Sequence, residues 1–322
     1  MRKLLVKTKN VEISLPKIIL GSTHFGTAID EKTSFSLMDI YAEHGGTCID
    51  TASVYGDWDD LGSPVSEQVI GKWLKKSKYC NEMKIMTKGA HHKLKTPHIS
   101  RVTAACIAED IEKSLDSLQL DSIDVYFLHR DNVNVPVSEI MPILHKYVAA
   151  GNLKAIGASN WSMERILEAN TYALQNDLTP FSISEIQWSL AQTNPHDSGT
   201  EKLAHMTGEE YDKYLKAGIP VVAWSSQARG IVSRVIKDGW DSVSENIRNK
   251  YYNEVTVRRI ENARTICRKN GISPTQAALG YITCNSLPAA AIIGPSTVEH
   301  LRDSLNSADL NLNAEIVAQL IQ

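Results

Sequence analysis

Eight short apolar runs alternate with eight longer amphipathic stretches, and this alternation restricts the fold more than any other feature of the chain. The runs of strand length are 17–21 (KIILG), 47–50 (TCID), 83–88 (MKIMTK), 123–128 (IDVYFL), 153–158 (LKAIGA), 183–187 (ISEIQ), 220–224 (PVVAW) and 289–293 (AAAII). Helix-period patterns fall at 33–45, 65–77, 100–119, 138–150, 162–176, 208–217, 254–271 and 297–308. Parallel neighbours need a long crossover, so strict alternation implies a parallel sheet covered by helices. Eight units fit a closed α/β barrel, the (β/α)8 or TIM barrel, better than an open sheet.

Local signals support these spans. Ser100, Ser138, Ser162 and Thr297 each stand just before a periodic run, where a hydroxyl can accept from an orphan N–H. Gly45, Gly46, Gly151 and Gly271 stand where helices should close, and a left-handed residue is cheap for glycine. Residues 7–15 precede the first barrel strand and contain Lys9-Asn10 at a possible turn, which predicts an N-terminal β-hairpin plugging the barrel bottom. Residues 229–253 match no element. Without repeats or linker-like stretches, residues 1–322 read as a single barrel domain, a size this architecture commonly reaches.

Composition removes several classes of function. A net charge of -3 argues against a general nucleic-acid binder, which would show a basic face. The N-terminal apolar run is broken by Lys7 and Lys9, unlike a signal peptide, and no stretch approaches ~20 apolar residues, so no membrane span is expected. The five cysteines are scattered and show no CxxC spacing, which suits a reducing, cytoplasmic setting. His91, His92 and His98 share a loop but lack carboxylate or cysteine partners at ligand spacing, so no metal site is read there.

Barrel enzymes carry their chemistry at the C-terminal ends of the strands. Polar residues recur there: Asp50 and Tyr55 after the second strand, Lys88 ending the third, and His129 after the fourth. Ser159 and Asn160 follow the fifth, Gln187 ends the sixth, and Trp224-Ser225 end the seventh. Each alone has a structural alternative: Asp50 could cap a helix, Lys88 be solvated, Tyr55 pack, and His129 be a satisfied core histidine. Four at equivalent barrel positions form a coherent set. A free phenol, with a pKa near ~10, is a poor acid at neutral pH unless a cation stabilises its phenolate. Lys88 can supply that cation, and Asp50 can hold Lys88 protonated and aimed at Tyr55. His129 can orient a substrate carbonyl.

Ile49-Asp50-Thr51-Ala52-Ser53-Val54-Tyr55-Gly56, Met86-Thr87-Lys88 and Ser122-Ile123-Asp124-Val125-Tyr126-Phe127-Leu128-His129 resemble the aspartate–tyrosine, lysine and histidine segments of the aldo-keto reductases. Ala155-Ile156-Gly157-Ala158-Ser159-Asn160 and Ile293-Gly294-Pro295-Ser296 are similar to that family's cofactor segments, so the resemblance runs from about residue 17 to 312. It implies a nicotinamide-dependent reductase of a small-molecule aldehyde or ketone, with Asp50, Tyr55, Lys88 and His129 as the catalytic set. By the same resemblance, Gly21, Ser22, Thr23 and Asp50 adjoin the cofactor. Ser159, Asn160 and Gln187 bond its carboxamide, and Trp224 stacks on its ring. Ser225, Gln227 and Gly230 line the pyrophosphate, and Gly294, Ser296, Thr297, His300 and Ser304 meet the adenosine end. His24, Trp58 and Trp161 are candidates for the substrate pocket.

No G-x-G-x-x-G follows a strand and no G-x-x-x-x-G-K-[ST] occurs, which disfavours a Rossmann dehydrogenase or a P-loop enzyme. NADPH is the cofactor the resemblance implies. Residues 295–300 lack the arginine or lysine that usually grips its 2′-phosphate, and Arg302 is the nearest firm cation, so NADH use stays open. A second class of function also stays open: a non-enzymatic cofactor-binding regulatory subunit resembling the potassium-channel β subunits. The sequence does not specify the carbonyl substrate or the oligomeric state.

Overall fold

The computed structural model describes residues 1–57, 65–194 and 203–322. Strands β1 (Lys3–Lys7) and β2 (Glu12–Pro16) form an antiparallel hairpin, followed by β3 (Ile18–Gly21) and helix α1 (Glu31–Glu43). Next come β4 (Cys48–Asp50), α2 (Val65–Leu74), β5 (Lys84–Gly89), α3 (Ala104–Leu118), β6 (Ile123–Leu128) and α4 (Val137–Ala149). Then follow β7 (Leu153–Ser159), α5 (Met163–Gln175), β8 (Ile183–Gln187), α6 (Gly208–Ala217) and β9 (Val221–Trp224). After these come α7 (Ile231–Asp238), α8 (Glu245–Tyr251), α9 (Glu254–Asn270), α10 (Pro274–Thr283), β10 (Ala289–Ile293), α11 (Val298–Leu305) and α12 (Ala314–Gln319). Strands β3 to β10 close into one parallel barrel, with β10 returning to pair with β3.

The bore of the barrel explains where the site lies. Ile19, Cys48, Met86, Val125, Phe127, Ala155, Ile183, Val222 and Ala290 point inward and pack on Leu4, Val6, Ile13 and Leu15 of the hairpin, which plugs the bottom. Side chains alternate along a strand, so residues two further on also point inward, one layer nearer the C-terminal mouth. By that parity Cys48 leads to Asp50, Met86 to Lys88, Phe127 to His129 and Ile183 to Glu185. A polar layer therefore rests on an apolar one. Gly157 is needed in this bore, because a Cβ there would stand 2.6 Å from the Phe127 ring and 2.6 Å from the Ile183 carbonyl oxygen.

The hairpin turns at Lys9-Asn10, with Lys7 opposite Glu12, but its first strand starts at Lys3 because Leu4 and Val6 are the buried residues. Ser162 and Thr297 cap their helices, whereas α3 is capped by Thr103 rather than Ser100. Ser138 lies within the first turn of α4, whose N-cap, Pro136, makes no side-chain bond. The unassigned stretch 229–253 holds α7 and α8, and α10 also goes beyond the expected helices. Its start carries a capping box, Ser273 with Gln276, and a proline in the first turn, which is a legible signal. Among the described residues no helix is long and apolar enough to cross a membrane.

Candidate active site

The barrel mouth opens into a cavity of about 1160 Å³ that touches Asp50, Tyr55, His129, Ser159, Asn160 and Glu185 at one end. At its other end lie Gly294, Ser296, His300 and Ser304, with Trp224, Ser225, Gln227 and Gly230 among the remaining wall residues. Three non-glycine residues of its wall, Asn160, Ser225 and Arg229, hold positive φ. Such backbone is costly for L-residues and collects where loops are shaped for a ligand.

Lys88 is the hub of the buried polar cluster beneath this cavity. Its Nζ donates to Asp50 Oδ1 (2.8 Å), Asp50 Oδ2 (2.7 Å), the Thr51 carbonyl (2.8 Å) and the Tyr55 hydroxyl (3.4 Å). It also lies 3.3 Å from Glu185 Oε1, and Asp50, Lys88 and Glu185 are all buried. Burial opposes the ammonium charge, but Asp50, Glu185 and Tyr55 outweigh it and raise the Lys88 pKa. Two carboxyls thus face one cation. Burial, then the Asp50 charge, push Glu185 well above the usual carboxylate range despite Lys88. Glu185 Oε2 is buried without a hydrogen-bond partner, a position far less costly for a protonated carboxyl than for a carboxylate. Asp50 is the closer partner of Lys88, at 2.7 and 2.8 Å against 3.3 Å for Glu185.

The Tyr55 pKa is raised, first by burial; Lys88 pulls it down, while Asp50 and Glu185 push it up again. The expectation that Lys88 leaves the phenol more acidic than free tyrosine does not hold here, because burial and two carboxyls outweigh one cation. His129 lies edge-on to Tyr55, with ring centroids 6.0 Å apart, and its Nδ1 has no hydrogen-bond partner among the described residues. Burial, then the charges of His91, Lys88, Arg130 and His92, hold its pKa well below 6.5, so the imidazole is neutral at pH 7. The His91 ring meets it edge-on, with centroids 4.7 Å apart, and its pKa is itself pushed down to about 3, chiefly by burial.

Asn160 braces this cluster. Its Nδ2 donates to the His129 carbonyl (3.1 Å) and Ser159 Oγ (3.0 Å), and its Oδ1 accepts from Trp224 Nε1 (3.0 Å). Ser296 Oγ meets His300 Nδ1 at 3.2 Å, and Gln227 Nε2 donates to Ser304 Oγ at 3.3 Å. Gly21, Thr23 and His24 also stand on the cavity wall.

Other expected site residues lie elsewhere. Gln187 is one layer above Glu185 and lines a separate cavity of about 350 Å³ with Trp188, Tyr211, Arg259 and Tyr281, so β8 offers the mouth Glu185 instead. Ser22 is buried and spends its hydroxyl on the Asp50 carbonyl at 2.8 Å. Thr297 is the N-cap of α11. Trp161 is fully buried, donates to the Arg130 carbonyl at 3.0 Å and packs edge-on against Phe181, a core position rather than a pocket wall. The left-handed turn at Asn160 sends it inward. Trp58 lies outside the described residues.

Residues 17–322 match the sequence profile described as Aldo/keto reductase family. The chain belongs to that family. Among its relatives is an uncharacterized oxidoreductase, YrpG, of Bacillus subtilis, 26% identical over 96% of this chain and 92% of the relative. A norsolorinic acid reductase of Aspergillus flavus is 25% identical over 98% of this chain and 79% of its own length. An aryl-alcohol dehydrogenase [NADP(+)] of Phanerodontia chrysosporium is 26% identical over 89% and 74%. Family and relatives make this aldo/keto reductase an NAD(P)-dependent oxidoreductase of carbonyl compounds.

Three arginines of the cavity wall went unnoticed in the sequence: Arg130, Arg229 and Arg234. Arg229 and Arg234 fall in the stretch that matched no element. Neither has a side-chain hydrogen bond or ion pair among the described residues, whereas Arg302, the expected cation, is not on the cavity wall.

Proposed function

We propose that this enzyme reduces an aldehyde or ketone to an alcohol, with Tyr55 as general acid and Lys88, Asp50 and His129 as its supporting set. The observation carrying the proposal is the convergence of the Tyr55 phenol, the buried Lys88 side chain and the His129 imidazole at one cavity. The cavity suits a dinucleotide: polar wall residues run from Ser159 to Ser304, Gly294 leaves open space where a Cβ would stand, and unpaired arginines offer charge. When bound, a reduced nicotinamide supplies the hydride.

The chain's own residues do the rest. A neutral His129 can donate one hydrogen bond to the carbonyl oxygen and orient it without competing for the proton. Tyr55 then gives its proton to the oxygen as negative charge develops there. Lys88 stabilises the phenolate left behind, and Asp50 keeps Lys88 charged. Trp224, pinned through Nε1 to Asn160, presents its indole beside the mouth as a stacking surface. Arg229 and Arg234 would hold the cofactor phosphates, with Ser296 and His300 at the adenosine end. On this reading the 2′-phosphate need not depend on residues 295–300, and NADPH is the preferred cofactor.

Reductase activity is tested by following NADPH and NADH oxidation with a panel of aliphatic and aryl aldehydes. Aldehyde-dependent oxidation is the expected result; its absence with every carbonyl at any pH from 6 to 9 would reject the proposal.

A further inference from the structure

Arg130 follows His129 in the chain and stands half-buried on the same cavity wall as Tyr55 and His129. Its backbone is fixed by the Trp161 indole, which donates to its carbonyl at 3.0 Å. Two other partly buried arginines are paired with carboxylates, whereas Arg259 donates only to the Leu190 carbonyl among the described residues. Arg165 meets Asp131 (3.5 Å) and Glu168 (2.8 Å), and Arg101 is paired with Asp110 and Glu109. Asp131, the carboxylate next to Arg130 in sequence, is thus engaged by Arg165. The Arg130 guanidinium has no hydrogen bond or ion pair among the described residues. A cation drawn out of water without a counter-ion is costly, so a protein keeps one where a ligand completes it.

The Arg130 residue shares the cavity wall with Tyr55 and His129. Its charge depresses the pKa of His91, His92 and His129, and the Tyr55 phenol in turn acts on Arg130. Arg130 thus belongs to the wall around Tyr55 and His129, whereas Arg229 and Arg234 belong to the loop and helix after β9. A single guanidinium offers a planar fork of donors and one positive charge, which matches a carboxylate in both geometry and charge.

From this geometry we infer that Arg130 is a specificity residue that anchors an anionic group of the substrate, so the preferred substrates are carbonyl compounds that also carry a carboxylate. The inference rests on the reductase reading above and deepens it. Neutral aldehydes enter the same mouth but leave Arg130 unpaired. A charge-assisted, partly desolvated hydrogen bond changes affinity by on the order of ten- to a hundredfold.

The test compares binding of 4-formylbenzoate with its uncharged isostere 4-formylbenzamide, by calorimetry, to enzyme saturated with NADP+. Wild type should bind the carboxylate about ten- to a hundredfold more tightly. The ratio should approach one in Arg130→Met and recover in part in Arg130→Lys. Equal binding of the two probes by wild type, a comparison that needs no variant, would overturn the inference. So would a preference that survives in Arg130→Met, or an Arg130→Met variant whose main defect is weaker NADP+ binding, which would make a cofactor phosphate the partner. Turnover of the same aldehydes with NADPH is read separately and judges the reductase proposal alone.

Discussion

The Lys88 ammonium lies 3.4 Å from the Tyr55 hydroxyl while two carboxyls, Asp50 and Glu185, hold it from the other side. Lys88→Met removes the only cation of that cluster among the described residues and leaves the phenolate uncompensated. Carbonyl reduction should fall by ~10²–10⁴-fold, the usual worth of a positioned acid–base group. The kcat/KM for a neutral aldehyde measures it, and a variant retaining half of wild-type kcat/KM would deny Lys88 this role.

The pH profile should be broad. Tyr55 is raised above its ordinary value of 10.0, so the phenol stays protonated through neutral and mildly alkaline pH. His129 is held well below 6.5, so its charging does not intrude near neutrality. The kcat/KM for a neutral aldehyde should be flat between pH 7 and 9. A limb with a midpoint near 6.5 that vanishes in His129→Gln would show that the imidazole titrates in the ordinary range.

Glu67 makes a further pH prediction, for stability. It is buried on α2, accepts from Thr87 Oγ1, and is raised from 4.5 to about 7, chiefly by burial. Between those values the folded chain keeps a proton that the unfolded chain releases, so Glu67 makes stability fall as pH rises through that window. The change is about 3 kcal/mol at most, from ~1.4 kcal/mol per pKa unit. Denaturant unfolding at pH 4.5 and 8 should show a smaller pH dependence for Glu67→Gln, with a gain in stability at pH 8. An unchanged difference would place the titration elsewhere.

At the cofactor end, Arg234→Ala should weaken NADPH binding by roughly ten- to a hundredfold, the value of a charge-assisted contact, and weaken NADH less. Fluorescence quenching of Trp224 reports both dissociation constants. If Arg302→Ala produces that loss and Arg234→Ala does not, the phosphate is gripped from α11.

The barrel was legible because eight strands carry their own period and length, and the residues at their C-terminal ends lead to Asp50, Lys88 and His129. Glu185 was equally legible in principle, since it stands two residues after the inward-facing Ile183. Reading the strand by its last residue points to Gln187 instead, one layer too high. Trp161 illustrates another limit: its neighbour Asn160 adopts a left-handed turn that directs the indole into the core, and asparagine in a strand-end motif does not announce that turn. Arg229 and Arg234 were hidden because α7 is a short helix inside a 25-residue stretch with mixed periodicity, and only its packing beside the barrel mouth brings them to the cavity.

The account depends most on the proton carried by Tyr55. Tyr55→Phe keeps the ring and deletes that proton, so the most direct measurement is kcat/KM for aldehyde reduction by this variant, alongside its NADPH dissociation constant. The prediction is a loss of at least ~10²-fold in kcat/KM with the dissociation constant within about threefold of wild type. A Tyr55→Phe enzyme that reduces aldehydes at half the wild-type rate, with chemistry limiting, would contradict it.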